Sequence, residues 1–100
     1  MCNAYDQLRM SVAFPCQDVK IVGTHAGISI GEDGPSQMGI EDVSLACSLP
    51  NFTVVVPCDE VSMTKAVQAL ARVKTPAYVR AGRPKVPVHF RLWMGALRPT

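Results

Sequence analysis

The chain has 100 residues, of which 48% are hydrophobic and 18% are charged, and its net charge is +2. This length suits one small domain, and the composition excludes a disordered chain. The nearly balanced charge argues against a nucleic-acid partner, and no apolar run approaches the roughly 20 residues of a membrane span, so a cytoplasmic protein without membrane contact is expected.

The amino-terminal part of the chain predicts a helix followed by a strand. Residues 4–13 (AYDQLRMSVA) place Tyr5, Leu8 and Val12 on one helical face. Residues 19–24 (VKIVGT) form a compact, β-branched run that predicts a buried strand. Together they predict the first strand of a sheet, with a helix before it.

The rest of the chain predicts two helix–strand units. A helix over residues 40–49 precedes a strand over 52–56 (FTVVV), and a helix from Glu60 to Val73, with Asp59 as its N-cap, precedes a strand over 76–80 (PAYVR). Strands that alternate with helices favour a parallel sheet. We therefore predict an α/β fold with three layers, in which helices cover both faces of a small sheet. Ligands of such sheets bind beyond the carboxyl ends of the strands.

A polar, glycine-rich stretch follows the first predicted strand. Residues 24–42 read THAGISIGEDGPSQMGIED, which contains too many glycines for a regular element. Such a loop predicts hydrogen bonding to a hydroxylated or phosphorylated small molecule, and the alternative is an exposed connection with turn residues. The polar groups available are His25, Glu32, Asp33, Ser36 and Gln37.

The four cysteines do not predict a metal site. None of them forms a C-x-x-C pair, and His25 and His89 lie far apart in the sequence. Cys47 lies in an apolar helical pattern and Cys58 follows an apolar run, so both are predicted to be core or near-core thiols.

Several motifs in one order resemble the transketolase family. GEDGPSQMGIED is similar to the family signature, THAGISIG precedes it and SLPNFTVVVP follows it, while AYDQLRMSVAFP and YVRAGRPKVP lie further out. The resemblance runs from Ala4 to Pro87. It implies a truncated doubly wound pyrimidine-binding domain over residues 1–87, followed by a divergent tail over 88–100. A tail that exposes Trp93 and Met94 would favour association.

The resemblance also implies a cofactor and partners. Thiamin diphosphate with magnesium is expected to lie between this domain and a diphosphate-binding domain or subunit, in an enzyme that moves a ketol unit between sugar phosphates. The strand with the family's catalytic glutamate is not among these residues, so the chain is expected to be inactive alone, and its cofactor-binding residues are not identified. The alternatives are a subunit of a split enzyme and a non-catalytic binding or assembly module. A homo-oligomer is expected, because the sheet has an exposed edge.

The resemblance implies substrate-binding roles for four side chains. His25 corresponds to a histidine of the substrate channel, Asp33 to an acid that binds a sugar hydroxyl, and Arg83 to an arginine that binds phosphate. Gln37 stands where many relatives have histidine and can orient a hydroxyl; it and His25 are the catalytic candidates. The alternatives are a backbone-bonded histidine, an Asx-turn aspartate and a solvated arginine. Arg80, within a predicted strand, is the weaker phosphate candidate.

Overall fold

A three-stranded parallel sheet forms the centre of the computed structural model, which describes the backbone of residues 1–93 and 96–99 and the side chains of residues 1–89. The strands are β1 (Lys20–Gly23), β2 (Thr53–Val55) and β3 (Ala77–Arg80), in the order β1-β3-β2. This arrangement confirms the predicted α/β class. No helix in the described part of the chain has the length and apolar character needed to cross a membrane.

The helices lie where the sequence predicts them, but they are shorter. Helix α1 spans Tyr5–Leu8, between a 3-10 turn at Cys2–Ala4 and a π-helical turn at Arg9–Ala13. Helix α2 spans Asp42–Cys47 and helix α3 spans Glu60–Leu70. The periodicity predicts the elements correctly, whereas their ends depend on local hydrogen bonds that the apolar pattern does not contain.

The central strand β3 holds the core. Ala77 and Val79, which are 0% and 2% exposed, pack against Leu70 of α3 on one face of the sheet. Partly buried Val55 and Met63 complete this cluster. Since side chains alternate along a strand, Tyr78 and Arg80 point to the opposite face, where α2 begins. The site loop approaches the sheet on that second face.

Gly23 is required by the packing of Tyr78. A Cβ atom at Gly23 would overlap the hydroxyl end of the Tyr78 ring. Tyr78 is only 2% exposed, so the ring has little room to move away. The last residue of β1 therefore has to be small for Tyr78 to reach its partner on α2.

Helix α3 begins with the predicted N-cap. The Asp59 side chain accepts a hydrogen bond from the Ser62 backbone N–H at 2.8 Å, and the Ser62 hydroxyl lies 3.0 Å from the Asp59 N–H, which completes a capping box. The second Asp59 oxygen accepts the backbone N–H of His89 at 2.6 Å. Asp59 thus both starts α3 and holds the segment that leads into the tail.

The tail contains two strands that the sequence pattern did not predict. Strands β4 (Phe90–Trp93) and β5 (Ala96–Pro99) pair antiparallel, and β4 lies beside α3. The predicted apolar patch at Trp93 and Met94 lies outside the described side chains. The division into a domain over 1–87 and a tail over 88–100 stays a prediction.

The prediction that Cys47 and Cys58 are core or near-core thiols is wrong. Both are exposed in the structure. Helix α2 turns Ala46 and then Leu49 inward, at 0% and 4% exposure, which leaves Cys47 on the solvent side. Cys58 lies beyond the end of β2, with its Sγ 3.8 Å from the Ser62 hydroxyl at the start of α3.

Candidate functional site

A groove opens at the carboxyl edge of the sheet. It encloses about 360 Å³ and is lined by three segments that leave the strand ends: Ala26, residues 56–60 and residues 80–82. The carboxyl edge is where open parallel sheets bind ligands, because loops from neighbouring strands meet there. Each of these segments lies at the carboxyl end of one of the three strands that the sequence predicts.

Backbone hydrogen bonds fix the start of the glycine-rich loop to the sheet. Ala26 N donates to Ala81 O at 3.2 Å, which joins the loop to the residue after β3. Gly39 N donates to His25 O at 3.2 Å, and Gly27 N donates to Gly39 O at 2.8 Å. The two ends of the loop are therefore held side by side, and the polar residues between them project from a fixed base.

His25, two residues after the end of β1, has a strained backbone. Its φ angle is +62°, in the left-handed region that non-glycine residues seldom adopt. Such strain costs about 1–3 kcal/mol and is concentrated at functional sites. The partly buried imidazole shares a hydrogen bond of 2.8 Å between Nδ1 and the Thr24 hydroxyl. The side chain thus pairs with a neighbouring hydroxyl, rather than with the backbone group that the alternative interpretation required.

Arg83 and Asp33 come together at the outer end of the loop. The Arg83 Nη1 lies 3.6 Å from Asp33 Oδ2 and 3.3 Å from Glu32 Oε1. Arg83 is 51% exposed, Glu32 is 72% exposed and Asp33 is 39% exposed, so an incoming anion can reach the guanidinium. This arrangement places a guanidinium, which can donate paired hydrogen bonds, beside carboxylates, which can accept them. Arg83 is paired with acids of the loop, and is not simply solvated.

Gln37 lies in a second groove, apart from this cluster. It is exposed and lines a space of about 400 Å³, together with Asn3, Thr24 and Ser36. Asp33 and Arg83 are not among the residues that line this groove. Of the four predicted site residues, the structure therefore pairs Asp33 with Arg83, and puts Gln37 and His25 at other points of the same loop.

A buried hydrogen-bond network underlies the loop. Asp42 is 5% exposed, and its Oδ2 accepts hydrogen bonds from the Tyr78 hydroxyl at 2.6 Å and from Arg80 Nε at 3.0 Å. Arg80 Nη2 also donates to Gly39 O at 2.6 Å. Among the described residues, Asp42 Oδ1 is buried without a hydrogen-bond partner. This network joins the centre of the sheet to the end of the loop.

The network shifts the pKa values of its members. Burial on its own would raise the pKa of Asp42, but the hydrogen bonds from Tyr78 and Arg80 and the Arg80 charge outweigh it, so the pKa is lowered. For Tyr78, burial and the hydrogen bond to the Asp42 carboxylate raise the pKa of the phenol above its ordinary value of 10.0. At neutral pH, Asp42 is therefore ionised and Tyr78 is protonated.

Sequence reasoning missed this network. The sequence pattern assigns Arg80 to a strand and gives Asp42 no role in the site. A tyrosine and an arginine two residues apart on a buried strand, which share one face, are the signal that indicates a buried acceptor opposite them.

The described residues contain no ready-made protein cage for the magnesium of a thiamin cofactor. No group of three or more His, Cys, Asp or Glu side chains in the described part of the chain could hold a metal ion. Magnesium requires several oxygen ligands in octahedral geometry.

The fold and the polar loop define a class: a parallel α/β domain with a groove and a polar loop at the carboxyl edge of its sheet. Comparisons with known proteins specify the family. A family model for the transketolase pyrimidine-binding domain matches residues 2–88. The chain belongs to this family.

Named relatives support the assignment. The chain is 44% identical over 88 residues to mouse transketolase-like protein 2, which covers 88% of this chain and 14% of that protein. It is 44% identical over 83 residues to human transketolase, which covers 83% of this chain and 13% of that protein. The chain thus corresponds to a small part of these relatives.

A solved structure has the same fold. A chain described as a split-gene transketolase, inactive beta4 tetramer, superimposes with a TM-score of 0.79 at 38% identity, over 89% of this chain and 27% of that chain. The two chains therefore share the arrangement of their strands and helices as well as a substantial part of their sequence.

Proposed function

We propose that this chain supplies the sugar-phosphate side of a transketolase-like site, and that ketol transfer requires a diphosphate-binding domain from the same polypeptide or from another one. The proposal rests on family membership and on one observation in particular. Arg83 lies within 3.6 Å of Asp33, so a phosphate-binding group and a hydroxyl-binding group lie close together at the end of the loop.

The roles of the individual side chains follow from their chemistry. The guanidinium of Arg83 binds the terminal phosphate of a sugar phosphate through paired N–H donors. Asp33 accepts a hydrogen bond from a sugar hydroxyl, and Gln37 orients a hydroxyl further along the loop. His25, whose imidazole is held by Thr24, lines the path of the substrate and can form a hydrogen bond to a sugar hydroxyl or a phosphate oxygen.

The cofactor enters the proposal only through a partner. Thiamin diphosphate with magnesium supplies the carbanion chemistry in this family, and its diphosphate end is assigned to the diphosphate-binding domain or subunit. The described residues of this chain bind and orient the sugar phosphate. A cytoplasmic location, where sugar phosphates are abundant, is part of the proposal.

Two measurements on the chain of residues 1–100 test this function. With thiamin diphosphate, magnesium, xylulose 5-phosphate and ribose 5-phosphate, the chain is expected to form no sedoheptulose 7-phosphate; turnover would contradict the need for a partner domain. In calorimetric titration with ribose 5-phosphate, wild-type chain is expected to bind, and Arg83→Ala to bind at least about tenfold more weakly, since a charge-assisted bidentate contact is lost.

A matched control separates loss of charge at the site from loss of charge in general. Arg72 is exposed beyond the end of α3, away from the loop, and Arg72→Ala is expected to bind like wild type. Equal binding by wild type and Arg83→Ala would remove the phosphate role from Arg83. No binding by wild type would remove the substrate-side role from the chain.

A second candidate is a subunit of a split enzyme that forms a homo-oligomer. The solved relative that superimposes on this chain is itself described as a split-gene transketolase and as a tetramer. Large apolar side chains on the surface, such as Phe14 at 76% exposed and Val22 at 57%, agree with burial in an assembly. Addition of subunits that carry both the diphosphate-binding domain and the strand with the family's catalytic glutamate should then produce ketol transfer, whereas a non-catalytic assembly module would stay inactive.

A further inference from the structure

Arg80 connects three separate parts of the molecule. It ends the central strand β3; its Nε donates to Asp42 Oδ2 at the start of α2, at 3.0 Å, and its Nη2 donates to Gly39 O at the end of the loop, at 2.6 Å. The Arg80 side chain is 23% exposed and the Asp42 side chain is 6% exposed. Because Tyr78 donates to the same carboxylate oxygen, Asp42 is itself held in place. The Arg80 backbone is therefore held in the sheet, and its guanidinium is held by Asp42 and Gly39.

The Gly39 peptide passes this constraint to the functional loop. Gly39 O accepts from Arg80 and also from Gly27 N, at 2.8 Å, while Gly39 N donates to His25 O at 3.2 Å. Because Gly39 N is hydrogen-bonded to His25 O, a shift of the Gly39 peptide also shifts the backbone of His25. Gln37 precedes Gly39 by two residues and moves with the same segment.

We propose that Arg80 is a positioning residue, whose guanidinium holds Gly39 so that His25 and Gln37 keep the orientation needed to bind a sugar phosphate. This inference rests on the proposed function. The Arg80 Nε and Nη2 both donate within the protein, so the proposed role is to position the loop and not to bind phosphate. Arg83, three residues later, is half exposed, and a phosphate can reach its guanidinium.

The role requires arginine rather than lysine. The guanidinium is a planar fork, and its Nε and Nη2 donate in two directions at once. A lysine ammonium at the same position keeps the positive charge beside Asp42 but cannot hold Asp42 and Gly39 in that fixed geometry. Arg80→Lys therefore keeps the charge pair with Asp42, which maintains folding, and removes only the hydrogen bond that supports the loop.

The experiment compares wild type, Arg80→Lys and the surface control Arg72→Lys. All three are expected to fold, with melting temperatures that agree closely for wild type and control. Imidazole NMR resonances of His25, assigned with the help of His89→Gln, are expected to shift in Arg80→Lys only. The Gly27 amide, which donates to Gly39 O, is expected to exchange faster in that variant. Ribose 5-phosphate should bind at least about fivefold more weakly to Arg80→Lys.

The outcomes are distinguishable. Unchanged His25 resonances and unchanged Gly27 exchange in Arg80→Lys would overturn the positioning role, whether or not a sugar phosphate binds. Altered resonances with unaltered affinity would also overturn it. If Arg80→Lys alters the His25 resonances but wild type itself binds no ribose 5-phosphate, the proposed function is contradicted. The predicted effect of Arg80 on sugar-phosphate binding is then contradicted as well. If Arg80→Lys unfolds, the double variant Arg80→Gln/Asp42→Asn replaces it, because it removes the charge from both partners at once.

Discussion

At the scale of single residues, Asp42 is the group whose ionisation is tied most closely to the fold. Its carboxylate is buried at 5% exposure and accepts two side-chain hydrogen bonds, from Tyr78 and Arg80. Breaking a buried charged pair leaves an uncompensated partner, which is the costly case for such interactions. The stability of the chain should therefore depend on pH through this residue.

Stability is expected to fall in acid because of Asp42. Its pKa in the folded chain lies below the ordinary value of 3.8, so the contribution is present above pH 3.8 and is lost as pH falls through the lower, folded pKa. Asp42→Asn should be less stable by about 2 kcal/mol at pH 7 and should lose less on acidification. Urea unfolding at pH 7, 5 and 3 measures both. Parallel pH curves for the two proteins would contradict the assignment.

The dependence of stability on alkaline pH provides a second test of the same network. The pKa of Tyr78 is raised in the fold, so its contribution is complete below pH 10.0, where the unfolded phenol begins to ionise, and declines above that pH. In Tyr78→Phe this alkaline decline should disappear, while the acid limb from Asp42 is retained through Arg80. The same urea series, extended to pH 11, tests this.

At the scale of elements, the start of α3 combines two functions in one side chain. Asp59 caps the helix through Ser62 N and holds the tail through His89 N, at 2.8 Å and 2.6 Å. Asp59→Ala should therefore lower stability by about 1 kcal/mol for the cap, and should also release the segment that leads into β4. Asp59→Asn keeps a capping oxygen, but its amide nitrogen cannot accept from His89.

Hydrogen exchange distinguishes the two variants. In Asp59→Ala, the amides of both Ser62 and His89 are expected to exchange faster than in wild type. In Asp59→Asn, the His89 amide should exchange faster while the Ser62 amide stays protected. Equal protection of His89 in all three proteins would show that the second oxygen of Asp59 does not hold the tail.

The sequence predicts those parts of this structure that depend on neighbouring residues. The three strands, the order of the helices and the Asp59 cap follow from runs, periods and capping chemistry that span only a few positions. The network of Asp42 does not, because Tyr78 is 36 residues away and meets it only once β3 lies in the centre of the sheet. For the same reason, the contact between Asp33 and Arg83 follows from the meeting of loops at one edge of the sheet.

At the scale of the whole molecule, the chain is a flat body with extents of 40 × 37 × 15 Å. In the three-stranded sheet, the central strand is the most buried, while the outer sides of β1 and β2 pair with no other strand among the described residues. Unpaired strand edges and exposed apolar side chains promote pairing with other chains. A thin slab of this kind gains more from a partner surface than a rounder domain does.

We therefore expect residues 1–100 to associate at micromolar concentration, partly through the β1 edge. Val22 on β1 is 57% exposed, and Val22→Lys should weaken association, because it places a charge on the surface to be buried. Val67→Lys is the control: Val67 is similarly exposed, at 52%, but lies on α3. Sedimentation equilibrium of these proteins, and of a chain that lacks residues 88–100, separates the sheet edge from the tail. A monomer in every sample would contradict the expected assembly; loss of association only on removal of the tail would transfer it from β1 to that segment.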